Sequence, residues 1–178
     1  VDNRQAMPDH VALHPLKPVD RVTISAWFDT QEAADWIGSW RPGDCGKVMP
    51  EGAGHCMEWV GRNGCGECVV YIAAASIAHP SAEFIVGGLD ADSYTRDVVV
   101  IKYLVPQSHQ GNGYASSALR TVVGLLDFPG TDLYCHVDSR NWASQAVAVG
   151  AGFAFVGLTK FQARIYHPKY MWHYRLRH

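Results

Sequence analysis

A chain of 178 residues, 48% hydrophobic and 18% charged, has the size and composition of one globular domain with a single substantial core. Its formal charge of −2 excludes a general electrostatic pull toward nucleic acid or anionic membrane, and no apolar run approaches the length of a membrane span. Residues 1–10 carry no signal-peptide pattern, so the expectation is a cytoplasmic protein, residues 1–178 forming one domain behind a loose arm at residues 1–10.

In chain order, His10 to Leu16 alternates well enough to be a first strand. After Pro18, Val19-Asp20 starts a helix whose Val22, Ile24, Trp27 and Phe28 are roughly one face. Asp29-Thr30 caps a second short helix, Gln31 to Ser39. The Gly- and Pro-rich segment Arg41 to Gly54 reads as a loop. A hairpin follows, His55–Arg62 and Glu67–Ala75 about an Asn63-Gly64 turn. The polar stretch His79 to Thr95 is a second long loop, with room for a short strand at Phe84-Ile85-Val86.

Val98 to Leu104 is an unbroken apolar and β-branched run, the pattern of a strand buried on both faces near the centre of a sheet. Pro106 ends it, because proline cannot donate to a ladder and restricts Val105 before it. A polar turn, Gln107 to Gly113, leads into a helix with Ala115, Leu119, Val122, Val123 and Leu126 on one face. Beyond it come a strand at Asp132–Val137, a helix at Asn141–Gly150 stopped by Gly152, and two closing strands. Those strands are Phe153–Phe161 and Tyr170–Leu176, joined by a turn through His167-Pro168. The order describes a mixed α/β sheet.

The turn Gln110-Gly111-Asn112-Gly113-Tyr114-Ala115 hands a strand over to a helix. The first amides of a helix have no intrahelical partner and carry partial positive charge, and glycines let a ligand approach the backbone. An anion cradle for phosphate or pyrophosphate follows. No Lys-Ser or Lys-Thr pair follows Gly113, so this is no Walker loop, and Ser116 stands where a dinucleotide fingerprint needs glycine.

Five cysteines, Cys45, Cys56, Cys65, Cys68 and Cys135, include one C-x-x-C pair. With His55 close by, zinc is conceivable, but zinc ribbons show two tight ligand pairs; the expectation is reduced cysteines with no metal and no disulfide.

With both halves in view, the chain resembles the GNAT superfamily of acyl-CoA-dependent N-acyltransferases. Gln110-Gly111-Asn112-Gly113-Tyr114-Ala115 fits every position of that family's pyrophosphate motif. Asn141, Ser144 and Gly152-Phe153 match its second signature, an Asn opening the next helix, a small residue three later and a Gly-Phe pair beyond. The resemblance spans His10 to Arg175 and is closest to the branch typified by ribosomal-protein N-terminal acetyltransferases, where Asn-x-x-Ser is common. It implies the GNAT fold: a mixed central sheet of about six to seven strands flanked by about four helices.

The resemblance also implies acetyl-CoA as donor and direct transfer to an amine of a small molecule or a peptide. Gln110, Gly111, Asn112, Gly113, Tyr114 and Ala115 would hold the pyrophosphate. The Tyr103–Val105 edge would pair with the pantetheine amides, a backbone N–H near Leu104 or Val105 would polarise the thioester, and Asn141 would bond the pantetheine chain. Many members place a tyrosine acid seven residues after the Asn; Ala148 stands there, and Ser144 is the natural replacement as acid to the leaving thiolate. For the base the candidates are Glu58, Asp97 and His136, with Glu58 the first choice because its strand commonly faces the acceptor. Trp27, Trp36, Trp40, Trp59, Tyr166 and Trp172 are available to shape the acceptor pocket or to pack the core. The arrangement involves no metal or membrane, and it is compatible with a homodimer. Two other readings stay open: a non-catalytic acyl-CoA sensor, and an acetylating toxin for aminoacyl-tRNA. The second is disfavoured because the one basic cluster, His173–His178, is confined to the terminal strand.

Overall fold

The computed structural model describes residues 11–37, 41–43, 53–77, 97–126, 131–161 and 169–177. The strands are β1 (Ala12–Pro15), β2 (Ala53–Arg62), β3 (Cys68–Ile77), β4 (Asp97–Leu104), β5 (Thr131–Asp138), β6 (Ala154–Phe161) and β7 (Lys169–Arg177). The helices are α1 (Pro18–Phe28), α2 (Gln31–Ile37), α3 (Tyr114–Leu125) and α4 (Trp142–Gly150). The strands form one mixed sheet in the order β1-β2-β3-β4-β5-β7-β6, so the mixed sheet and four helices expected from the sequence are present. The predicted strand at residues 84–86, the turn at 167–168, Trp40, Cys45 and Tyr166 lie outside the described residues.

Side-chain alternation sends each strand's apolar residues to two different layers. On one face Val99, Ile101, Leu133 and Cys135 pack with Ala118, Leu119 and Val122 of α3 and Ala148 of α4. On the other, Ile24 and Phe28 of α1 pack on Val60, Tyr71 and Ala73. Val22 is exposed rather than sharing the face of Ile24 and Phe28. Two positions before Ile24, it is turned about 200° around a helix of 3.6 residues per turn.

Asp20 fixes where α1 sits. Its carboxylate accepts the Lys17 N–H at 3.1 Å, closing the first turn, and pairs with Arg62 of β2 at 2.6 Å. This carboxylate is buried, and a buried charge held by both a backbone donor and a guanidinium resists displacement.

One irregularity positions everything that follows. Among the described residues β4 and β5 form the only parallel pair, and their ladder runs from Asp97↔Thr131 to Ile101↔Cys135. Both strands continue, to Leu104 and Asp138, without pairing further. The outer residues of β5 pair with β7 instead, His136 opposite His173 and Asp138 opposite Met171. The sheet therefore opens into a V between residues 102–104 and 136–138.

The cysteines depart from expectation at one point: Cys56 is disulfide-bonded, while Cys65, Cys68 and Cys135 are free. The C-x-x-C pair drew attention to Cys65 and Cys68, which flank the β2–β3 turn, whereas the oxidised cysteine lies within β2. Among the described residues no group of three His, Cys, Asp or Glu side chains is placed to hold a metal ion. None of the described helices is long and apolar enough to cross a membrane.

Candidate functional site

The V between β4 and β5 is the floor of a cleft of about 1280 Å³. Its walls come from α1 and α2, from the β4–α3 turn, and from the β5–α4 turn. Sequence-predicted residues Leu104, Val105, Gln110, Gly111, Gly113, Tyr114, Ala115, Asn141 and Ser144 all line it, so two motifs about thirty residues apart are brought onto facing lips. Asn112 lies in the same turn, its amide donating to the carbonyls of His109 and Gln110 at 3.1 and 3.3 Å.

On the first lip, Gln107–His109 is a short 3-10 turn closed by the N–H groups of His109 and Gln110, which donate to the carbonyls of Pro106 and Gln107. From Gly111 through Ser116 the backbone N–H groups find no acceptor among the described residues; the first bonded one is Ser117, to the Gly113 carbonyl. Gly111 and Gly113 adopt φ of 81° and 77°, a left-handed conformation costly for residues with a Cβ. Alternating left- and right-handed backbone turns successive N–H groups toward one concavity, which binds anions. The loop is braced from outside. Gln110 donates to Glu32 of α2 at 3.1 Å and to the Val105 carbonyl at 3.3 Å, and His109 meets Glu67 of the β2–β3 turn at 3.1 Å.

On the second lip, buried Asp138 organises the turn into α4. It accepts from the Arg140 backbone and is bonded side chain to side chain by Arg140, at 2.9 to 3.0 Å. Asn141 then caps α4 by accepting the Ser144 N–H at 3.0 Å. The Ser144 hydroxyl makes no hydrogen bond among the described residues, and the Ser144 carbonyl accepts the Tyr103 hydroxyl at 3.0 Å. Tyr103 thus ties β4 to α4 across the opening of the V, and burial pushes its phenol well above the usual range. Arg140 also stacks its guanidinium 5.5 Å from the Trp36 ring, so α2 touches both lips, through Glu32 and through Trp36.

On the floor, facing α1 and α2, Lys102, His136 and His173 line the cleft. His136 and His173 are direct cross-strand partners, their Nδ1 atoms 2.9 Å apart and their rings nearly perpendicular at 84°. Burial, then the neighbouring His173 and Lys102, hold His136 far below the ordinary imidazole range, down to about 3; burial also lowers His173 and Lys102. Burial thus favours the neutral form of both rings.

Glu58 is elsewhere. It shares the α1-facing side of the sheet but does not line the cleft. Its carboxylate accepts the Tyr71 hydroxyl at 2.5 Å and the Gly43 N–H at 2.8 Å, with Arg21 at 3.9 Å. Of the tryptophans, Trp27 and Trp36 line the cleft, whereas Trp59 and Trp172 pack against the α3-side core. Sequence reasoning missed Tyr103 as a bridge, Asp138 as the organiser of the second lip, and His173. Only Asp138 carried a local signal, an Asp two residues before a basic residue at a strand end, where a carboxylate turns back on its own backbone.

Residues 10–154 match the family described as acetyltransferase (GNAT) domain. No curated protein sequence matches the chain. Among solved structures the chain is similar to a spermidine N-acetyltransferase from Vibrio cholerae in complex with CoA and spermine (12% identity, 94% of this chain and 95% of that one, TM-score 0.67). It is similar also to Arabidopsis thaliana NAA60 in complex with acetyl-CoA (15%, 93% and 97%, 0.66). A third is an aminoglycoside N(6')-acetyltransferase from Legionella pneumophila (12%, 96% and 93%, 0.65). At these identities the likeness is one of fold.

Proposed function

The chain belongs to the acetyltransferase (GNAT) family, and from that premise we propose that it transfers acetyl from acetyl-CoA to a primary amine. The acceptor class is a small-molecule amine or a peptide or protein N-terminus, attacked directly within a ternary complex. The observation that carries the reading is the run of backbone N–H groups from Gly111 to Ser116 that find no acceptor among the described residues, at the mouth of a V-shaped opening in the sheet. A pyrophosphate would satisfy those donors. From there an acyl-pantetheine arm has residues 102–105, beyond the last β4–β5 pair, to follow, about 10 Å at roughly 3.3 Å per residue.

In this reading Leu104 and Val105 supply backbone partners to the arm and to the thioester carbonyl. Asn141, whose Oδ1 is taken by the Ser144 N–H, offers its Nδ2 to the pantetheine. Ser144 gives the departing thiolate a proton. Ala148 is fully buried beneath the Phe153 N–H, so no acid stands there; with Ser144 this supports the serine-type branch typified by ribosomal-protein N-terminal acetyltransferases. Glu58, the sequence's first choice as base, has Oε1 committed to Tyr71 and Gly43, Oε2 beside Arg21 at 3.9 Å, and no place in the lining of the cleft.

The test pairs calorimetric titration with CoA and thiol release from acetyl-CoA. Acceptors would be an aminoglycoside, a polyamine, free amino acids, short peptides and an aminoacyl-tRNA. CoA binding with thiol release on one class supports the proposal and names the acceptor. Tight CoA binding without turnover on any of them favours a non-catalytic acyl-CoA sensor. Absence of CoA binding removes the reading altogether.

A further inference from the structure

We propose that Glu32 is a positioning residue for the donor: reaching from α2, it holds Gln110 so that the Gly111–Ser116 cradle is formed before acetyl-CoA arrives. The inference rests on the acetyl-transfer reading and concerns what orders the loop on which that reading depends.

The placement of Glu32 runs against simple electrostatics. It lines the same cleft as Gly111 and Gly113, and a carboxylate there repels a pyrophosphate entering the cradle. Its hydrogen bond gives the compensating reason. Oε1 accepts from Gln110 Nε2 at 3.1 Å, and the same Nε2 donates to the Val105 carbonyl at 3.3 Å. Gln110 is thereby clamped between α2 and the end of the segment that the acyl-pantetheine arm would follow.

The loop needs a hold from outside. Its N–H groups from Gly111 to Ser116 find no acceptor among the described residues, and Gly111 and Gly113 give its backbone more freedom to lose than other residues would. Asn112, between those glycines, is tied by its amide to the carbonyls of His109 and Gln110 at 3.1 and 3.3 Å. Fixing His109 and Gln110 therefore fixes the tip of the loop. His109 has its Nε2 3.1 Å from Glu67 and its ring edge-on to Tyr114 at 6.3 Å. Gln110 has Glu32. Because α2 also meets the second lip, through Trp36 and Arg140, Glu32 sets the cradle relative to both lips.

A loop that takes its binding shape only part of the time binds its ligand more weakly by that fraction. Removing the Glu32 side chain and removing only its charge therefore have opposite expected effects. Alanine releases Gln110. Glutamine keeps an oxygen to accept the Gln110 amide and takes away the repulsion.

The experiment titrates CoA calorimetrically, at low salt, into wild type, Glu32→Ala, Glu32→Gln, Gln110→Ala and the Glu32→Ala/Gln110→Ala double variant. Glu32→Ala should bind about fivefold more weakly, and Glu32→Gln as tightly as wild type or up to about twofold more tightly. In the Gln110→Ala background, Glu32→Ala should cost nothing further, because the residue it acts through is gone. With an acceptor that turns over, the Glu32→Ala loss should fall on the KM for acetyl-CoA and leave kcat within about twofold. Glu32→Ala that binds CoA as well as wild type or better overturns the proposal, as does Glu32→Gln as weak as Glu32→Ala. A rise in the acceptor's KM alone, in both variants, overturns it too and makes Glu32 an acceptor contact. If Glu32→Ala does not fold, backbone order parameters at residues 111–113 of the free wild type decide. Values of about 0.85 support a preformed cradle, and values below about 0.6 overturn it. Wild type that binds no CoA defeats the acetyl-transfer reading itself, whereas a failed Glu32 comparison in a protein that binds CoA defeats only this inference.

Discussion

The two halves of the cleft are built from different materials. The β4–α3 turn offers backbone: donors from Gly111 to Ser116, set by two left-handed glycines and needing no particular side chain. The β5–β7 floor offers side chains: two imidazoles and an amine from three strands, with no notable backbone feature. A backbone site is a local property, written in consecutive residues and tolerant of change at the exposed ones. A side-chain site is a property of register, in which every member depends on how distant strands align.

The sharpest way to break this contrast is Gly111→Asp. The strained φ of 81° costs about 1–2 kcal/mol, and a carboxylate in the cradle repels phosphate. CoA affinity measured by calorimetry should fall by about a hundredfold, with the imidazole titration on the floor unchanged. Ser144→Ala, which leaves the Asn141 cap in place because that bond uses the backbone N–H, should keep CoA affinity. Its kcat should fall roughly tenfold to a hundredfold in the thiol-release assay.

The floor has its own signature in stability. His136 and His173 have depressed pKa values in the folded protein, so below about 6.5 the unfolded chain binds more protons and stability falls with pH. Each proton contributes up to about 1.4 kcal/mol per pH unit. Urea denaturation between pH 7 and pH 4.5 should show that decline, and His136→Gln should flatten it. An equal slope in the variant would take the histidines out of the account.

The smallest effect probes the joint between the halves. Tyr103→Phe removes the bond to the Ser144 carbonyl and leaves a partly covered acceptor, costing about 1 kcal/mol in denaturant unfolding. It should also loosen CoA binding by a few-fold, since β4 and α4 then lose their direct tie and only α2 joins the two lips.

Legibility divided along the same line. The buried run of β4, the proline stop, the glycine turn and the Asn-x-x-Ser opening of α4 were each readable because every one is specified within a few residues. Glu58 was chosen from the strand it occupies, but alternation says only which face a side chain takes, not which neighbour claims it there. Tyr71, thirteen residues on, and Gly43 hold that carboxylate. Cys56 likewise carries the disulfide that the more conspicuous Cys65 and Cys68 do not.

By itself the sequence determined the kinds of elements, their order, and the glycine turn between β4 and α3, because helix caps, strand runs and glycine conformations are short-range matters. Only the tertiary structure decided where β4 and β5 part company, that β7 claims the outer half of β5, and that His136 therefore faces His173 across 2.9 Å. Those are choices of register between strands far apart in the chain. They are settled by the packing of the whole sheet, to which no single segment has access.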